Sequence, residues 1–132
     1  MRVPDWPVKM LAVIDAHRDT PREYGRWDCC QFMGEHVFAI TGIDHRERFP
    51  RYASRREGLA ILAGHGGLDG LLTELFGPSK PPAFAQRGDL VIADLGDGLA
   101  GGVCVGVETW TVSPAGLERV KTLSCTAAWT VE

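Results

Sequence analysis

A cysteine stands at the start of an apolar helical pattern, within the segment Tyr24–Phe32 (YGRWDCCQF). Asp28 is a good helix N-cap, so Cys29 would occupy the first turn of that helix. The unpaired N–H groups and the positive end of a helix lower the pKa of a thiol there and favour the nucleophilic thiolate. Cys29 is therefore a candidate catalytic nucleophile. The alternative is a small buried hydrophobe, which is the usual role of a free cysteine.

A cysteine nucleophile needs a base, and the chain offers four histidines. His36 follows Cys29 by two helical turns, roughly 10 Å along the axis, which is too far for a direct pair. We expect His36 to face the core with a polar partner. His17 lies near a helix end, where a cation complements the helix dipole. His45 and His65 fall in loops, so a base supplied from an unexpected loop path stays open as an alternative.

Two neighbours of the thiol, Trp27 and Asp28, would stand at the mouth of such a site and are candidate binding residues. For Trp27 the alternative is ordinary packing. The cysteines and histidines lack C-x-x-C and H-x₃₋₅-H spacing, so we expect no metal site. Gly96–Gly101 has glycines at positions one, three and six but links two predicted strands, so no cofactor is expected either.

Helices in the first half of the chain must position these residues. Hydrophobic spacing, caps and glycine stops predict four helices: from Pro7 to about Arg18, from Asp28 to Thr41-Gly42, from the capping box at Ser54 and Glu57 to about Ala63, and Leu68–Phe76. The second half has the β-branched runs and turn residues of short strands: Leu90–Ala93, Gly101–Val107, Glu108–Val112, Leu117–Leu123 and Thr126–Val131. The pattern predicts one α+β domain over residues 1–132, helical over about 5–77 and β over about 88–132.

Composition excludes several classes. The chain has 132 residues, of which 45% are hydrophobic and 23% charged, as in globular proteins. A net charge of −3 without a basic run argues against nucleic-acid binding. No apolar run approaches the length of a membrane span. The first residues lack a secretory signal pattern, so we expect synthesis in the cytoplasm with free thiols.

Several short motifs, taken in order, resemble one family. Gly-x-x-Asp-Cys at a helix start, Arg-Gly-Asp-Leu-Val leading into a strand and a glycine-flanked second strand are similar to the NlpC-type papain-like cysteine peptidases. A phage and prophage tail branch of that superfamily is more similar still, and the resemblance covers nearly the whole chain. The segments that carry it are Gly25–Cys29, Thr41–Asp44, Arg51-Tyr52, Arg87–Val91 and Ala128–Val131.

The resemblance implies a papain-like fold, with N-terminal helices packed on a small C-terminal antiparallel sheet. It implies Cys29 as nucleophile and a histidine opening the second strand. Counting back from Gly106 places that histidine at Ala100, or after a slip at Leu99, Gly101 or Gly102, and none of these is histidine.

The missing histidine favours a catalytically inactive structural component of a phage tail tip or baseplate. The implied partners are other tail-tip and hub proteins, and the implied location is the virion, after synthesis in the bacterial host cytoplasm. One alternative is an active peptidoglycan cysteine endopeptidase that aids cell-wall penetration. Another is an assembly factor that leaves before the particle is complete. In a tail, the arginines of residues 46–56 would pair with an acidic neighbour.

Overall fold

Four helices form the first part of the chain. The computed structural model describes all residues, 1–132. The helices are α1 (Trp6–His17), α2 (Cys29–Thr41), α3 (Arg55–Ala63) and α4 (Gly67–Phe76). The side chain of Asp28 caps α2 by accepting from the backbone N–H of Gln31, and Gly42 ends it with φ +81°. Ser54 caps α3 by accepting from the N–H of Glu57. The four predicted helices are confirmed, and each begins and ends within one residue of its predicted bounds.

The second part forms one antiparallel sheet. Its strands are β1 (Leu90–Asp94), β2 (Leu99–Cys104), β3 (Glu108–Ser113), β4 (Gly116–Lys121) and β5 (Ala127–Trp129). They lie in the order β4-β3-β2-β1-β5, and every pair is antiparallel. Helices followed by an antiparallel sheet confirm the predicted α+β class.

The predicted second strand was displaced. Observed β2 begins at Leu99 and ends at Cys104, whereas the pattern predicted Gly101–Val107. The residues after Cys104 form a turn, because the N–H of Val105 donates to the carbonyl of Glu108 and Gly106 adopts φ +123°. The predicted last strand is likewise shortened to the three residues of β5.

The two faces of the sheet bury different sets of residues. The main core lies between the helices and one face, and includes Phe32 and Ile40 of α2 with Ile92 and Val103 of the sheet. A smaller cluster covers the opposite face: Val91, Ala93, Cys104, Cys125 and Ala128. Since side chains alternate along a strand, consecutive residues of β2 belong to different faces.

A buried carboxylate ties both ends of the chain to β1. Asp89 is 1% exposed and forms ion pairs with Arg2 at 3.1 Å and with Lys80 at 2.7 Å. The Arg2 guanidinium also donates to the carbonyl of Val131 at 2.8 Å. This cluster joins the residue before β1 to segments near both ends of the chain. No helix of the protein has the length and apolar character that crossing a membrane would require.

Candidate functional site

The loop before α2 is held by a glycine that no other residue could replace without a shift. Gly25 adopts φ +89°, and a Cβ there would overlap the backbone carbonyl oxygen of Tyr52. The N–H of Gly25 donates to the Asp28 carboxylate at 2.9 Å. The Gly-x-x-Asp-Cys spacing therefore has a structural cause: the loop turns tightly back onto the cap of α2 and delivers Cys29 to its first turn.

Asp28 is 4% exposed, and both of its carboxylate oxygens have partners. Oδ1 accepts from the N–H of Gln31, whereas Oδ2 accepts from Gly25 and from the Tyr52 hydroxyl. Burial, together with the hydrogen bond to Asp28, raises the pKa of Tyr52 well above its ordinary value, so Tyr52 stays a donor. Asp28 holds the loop and the helix start together.

The Cys29 and Cys30 thiols act as a pair at the first turn of α2. The pKa of Cys29 is lowered, chiefly because the Cys30 thiol donates a hydrogen bond to the Cys29 sulfur. The backbone N–H of Gly101 also donates to this sulfur and lowers the pKa further. Burial and the negative charge of Asp28 act in the opposite direction. The pKa of Cys30 is raised, because that bond retains its proton and because it is buried. Negative charge on the pair therefore resides on Cys29, the better nucleophile.

The strand position next to Cys29 carries no side chain. Gly101 faces α2, and a Cβ at Gly101 would overlap the thioether of Met33. Met33 is buried on the same helix as Cys29 and fills this space. Leu99 shares the face of Gly101, whereas Ala100, the position counted for the family's histidine, points to the opposite face by the alternation of the strand.

Each of the four imidazoles makes its contacts away from the Cys29 sulfur. His17 contacts Thr20 and Glu35, His36 contacts the carbonyl of Gly88, His45 packs edge-on against Phe76, and His65 contacts Glu74. His36 is 1% exposed, which confirms the prediction of a core histidine with a polar partner. No imidazole hydrogen-bonds to Cys29, and no three His, Cys, Asp or Glu side chains converge to hold a metal ion.

Trp27, a candidate binding residue at the site mouth, lies elsewhere. It is 5% exposed and belongs to the main core. Its ring stacks on His17, with centroids 3.7 Å apart, and tilts against Phe32. Trp27 does not line the groove described next. The Gly25 turn precedes Trp27, and the indole packs in the core, as in the packing alternative.

A groove of about 730 Å³ opens beside the thiol pair. It separates α2 and the β1–β2 turn from the α3–α4 hairpin, and 21 of its 33 lining residues are hydrophobic, so its interior favours apolar groups. The side chains that border it include Cys29, Met33, Phe49, Leu59, Leu62 and Leu99. The groove gives Cys29 access to a molecule from outside.

Three features of the site were not predicted: the groove, the Tyr52–Asp28 hydrogen bond and the approach of Gly101 to Cys29. The Arg51-Tyr52 motif was the one signal for the hydrogen bond, without indicating its partner. The groove had no signal, because it depends on where the α3–α4 hairpin packs.

Comparison of the sequence with known proteins assigns the chain to a family. No curated protein matches the chain. A family model described as "Domain of unknown function (DUF6950)" matches residues 1–131. The chain therefore belongs to the DUF6950 family.

Proposed function

We propose that this chain is a structural component of a phage or phage-like tail tip, built on an NlpC-type papain-like scaffold that no longer cleaves peptides. The motif order of the resemblance and the α+β arrangement, with Cys29 opening a helix packed on an antiparallel sheet, support the scaffold. The tail-tip role rests on the resemblance to the tail branch. Its partners would be neighbouring tail-tip and hub proteins.

One observation carries the loss of activity. The strand residue against Cys29 is Gly101, and Met33 occupies the space where a side chain of that residue would lie. A cysteine protease needs an imidazole at hydrogen-bond distance both to take the thiol proton and to protonate the leaving amine. Gly101 supplies no imidazole, so on this proposal the thiolate would lack a proton donor for the second step.

The test of inactivity uses peptidoglycan. Purified protein and its Cys29→Ala variant are incubated with peptidoglycan from several wall types, and released fragments are identified by mass spectrometry. We expect equal, background release from both proteins. Release that depends on Cys29 would overturn the inactive assignment.

The tail assignment is tested separately. A strain that carries an epitope-tagged copy of the gene is used to produce particles, which are purified and analysed by mass spectrometry and immunogold labelling. We expect the tag at one end of the tail. A chain that is abundant in lysates but missing from particles would instead support the assembly factor and refute the structural role.

An active peptidoglycan endopeptidase is the second candidate, because the pKa of Cys29 is lowered and Cys29 borders an accessible groove. It would require a histidine from elsewhere to approach Cys29. His45 is the imidazole that borders the same groove. If this candidate holds, His45→Ala and Cys29→Ala should abolish fragment release equally, whereas His65→Ala should leave it intact.

A further inference from the structure

Helix α3 presents apolar residues that the rest of the chain leaves uncovered. No residue of α3 is buried, and Leu59 is 48% exposed although it borders the groove. Ile61 and Leu62 of the same helix are only half-buried and also border it. Opposite them, Leu95 of the β1–β2 turn and Leu99, the first residue of β2, are 42% and 51% exposed. Apolar side chains therefore line both walls of an open groove, an arrangement typical of a binding surface.

The rim of this groove is positive. Arg22 and Arg55 line it, and neither forms an ion pair with a carboxylate, whereas Arg46 is paired with Asp44 at 2.9 Å. Residues 44–57 hold five arginines against three carboxylates, in a chain whose net charge is −3. Three of those five, Arg48, Arg51 and Arg56, also have no carboxylate partner.

Two carboxylates line the groove. Asp28 has both oxygens occupied, as described above, so it offers little to a ligand. Asp97 lies in the β1–β2 turn, and its backbone carbonyl accepts from Arg55 at 3.3 Å. The Asp97 carboxylate forms no ion pair, so two unpaired arginines, Arg22 and Arg55, face one free carboxylate at the rim, and the remaining positive charge complements an acidic group.

We propose that the groove binds an extended segment of a partner protein in which large apolar side chains alternate with acidic ones. The apolar side chains would enter between α3 and the β1–β2 turn, and the acidic ones would meet Arg22 and Arg55 at the rim. The volume of the groove is in the range of ligand pockets in general. The inference rests on the groove alone and holds whether or not the chain is a tail component.

The binding test uses defined peptides and calorimetry. A ten-residue peptide of alternating leucine and glutamate is titrated into the full chain, beside a peptide of alternating leucine and lysine. We expect the acidic peptide to bind and the basic peptide to bind at least about tenfold more weakly, because charge complementarity sets partner choice. Bound acidic peptide should also slow alkylation of Cys29 by iodoacetamide, since Cys29 lines the groove.

Matched variants locate the binding. Leu59→Gln should weaken binding of the acidic peptide about tenfold, as expected for one lost apolar contact. Leu11→Gln is its control, because Leu11 is 49% exposed on α1 and does not line the groove. Arg55→Glu should also weaken binding about tenfold and suits the first turn of a helix, where a carboxylate is favourable. Its control is Lys9→Glu on α1, and circular dichroism establishes that all four variants are folded.

The result that supports the proposal is loss of binding in the two groove variants with at most a twofold change in the controls. Equal binding of both peptides, equal loss in the controls, or no binding of the acidic peptide at millimolar concentration would each refute it. A soluble muropeptide that binds with the same dependence on Leu59 and Arg55 would overturn the assignment to a protein partner. Self-association that Leu59→Gln abolishes would replace the partner with a second copy of this chain.

Discussion

At the scale of single residues, the Cys29–Cys30 pair determines which thiol of the site ionises more readily. The pKa of Cys29 is lowered because the Cys30 thiol and the backbone N–H of Gly101 both donate hydrogen bonds to its sulfur. These are features of an activated thiol. No imidazole forms a hydrogen bond with the Cys29 sulfur; the four histidines contact other groups. The lowered pKa of Cys29 favours its thiolate, and alkylation measures this directly.

Removing the partner thiol should change that reactivity. In Cys30→Ala the donor to the Cys29 sulfur is lost, so the pKa of Cys29 should rise and its thiolate form only at higher pH. The measurement is the rate of iodoacetamide alkylation at Cys29 against pH, resolved by peptide mass spectrometry. Cys125→Ala is the control, since that thiol lies in the cluster on the far face of the sheet. A Cys30→Ala curve that coincides with wild type would show that Cys30 does not stabilise the thiolate.

A histidine introduced into β2 should lower the pKa of Cys29 further when it replaces Leu99, but not when it replaces Ala100. Leu99 is half-exposed and on the face of β2 that meets α2, so histidine is tolerated there and points toward the groove. Ala100→His is the matched control because that residue points to the opposite face. We expect the alkylation profile to move to lower pH in Leu99→His alone. A shift in both variants, or in Ala100→His alone, would contradict the assigned facing of β2.

A buried histidine should make stability depend on pH. Burial lowers the pKa of His36 to about 4, so in the folded chain His36 is neutral across most of the pH range, while in the unfolded chain it takes up a proton near pH 6.5. Between pH 6.5 and 4 the unfolded state binds more protons, and stability falls as pH falls, by at most about 3 kcal/mol.

Urea unfolding of wild type and His36→Gln at pH 7, 5.5 and 4.5 measures this. Glutamine retains a donor for the Gly88 carbonyl but does not titrate. We expect a clearly smaller loss of stability toward pH 4.5 in the variant than in wild type. Parallel losses in the two proteins would assign the pH dependence to other groups.

At the scale of elements, local signals located the helices and strands better than they located the contacts between them. The Asp28 cap and the Gly42 stop define both ends of α2, because each acts within a few residues of the chain. The facing of β2 was not predictable, since a shift of one residue moves every side chain to the other face. The count back from Gly106 gave Ala100, or after a slip Leu99, Gly101 or Gly102, and Gly101 is the residue that lies against Cys29.

The same reasoning explains the other unpredicted features. The direction of Trp27 depends on a turn made possible by Gly25 and on the stacking partner His17, which comes from another helix. The groove depends on the position of the α3–α4 hairpin relative to α2. Contacts between distant segments leave no period or cap in the sequence.

At the scale of the whole molecule, the Asp89 cluster joins segments that are far apart in sequence. Asp89 is paired with Arg2 and Lys80 and accepts from the N–H of Gln86 at 2.9 Å. Its oxygens are buried, so each lost partner leaves a charge without compensation. Gly88-Asp89, which contributes to the family resemblance, therefore has a role in stability that is separate from the thiol site.

Asp89→Asn should destabilise the chain by about 3 kcal/mol, because it leaves Arg2 and Lys80 partly buried without their counter-charge. Asp15→Asn is the control, since Asp15 pairs with Arg18 at an exposed position and should change stability by less than about 0.5 kcal/mol. The free energies of unfolding are measured in urea at pH 7. A change in Asp89→Asn no greater than that of Asp15→Asn would refute the central role of the cluster.

The hydrogen bond from Arg2 to the carbonyl of Val131 has a consequence for the order of the chain. Residues near its two ends lie side by side, so a short glycine-rich linker can join them without disturbing the fold. New ends can then be opened in the exposed turn between β1 and β2, at Gly96. Such a circular permutant should fold with the same helices and sheet, as measured by circular dichroism. Its β1 and β2 strands would no longer be joined by a covalent turn. Failure of the permutant to fold would indicate that β1 and β2 must form as one continuous hairpin.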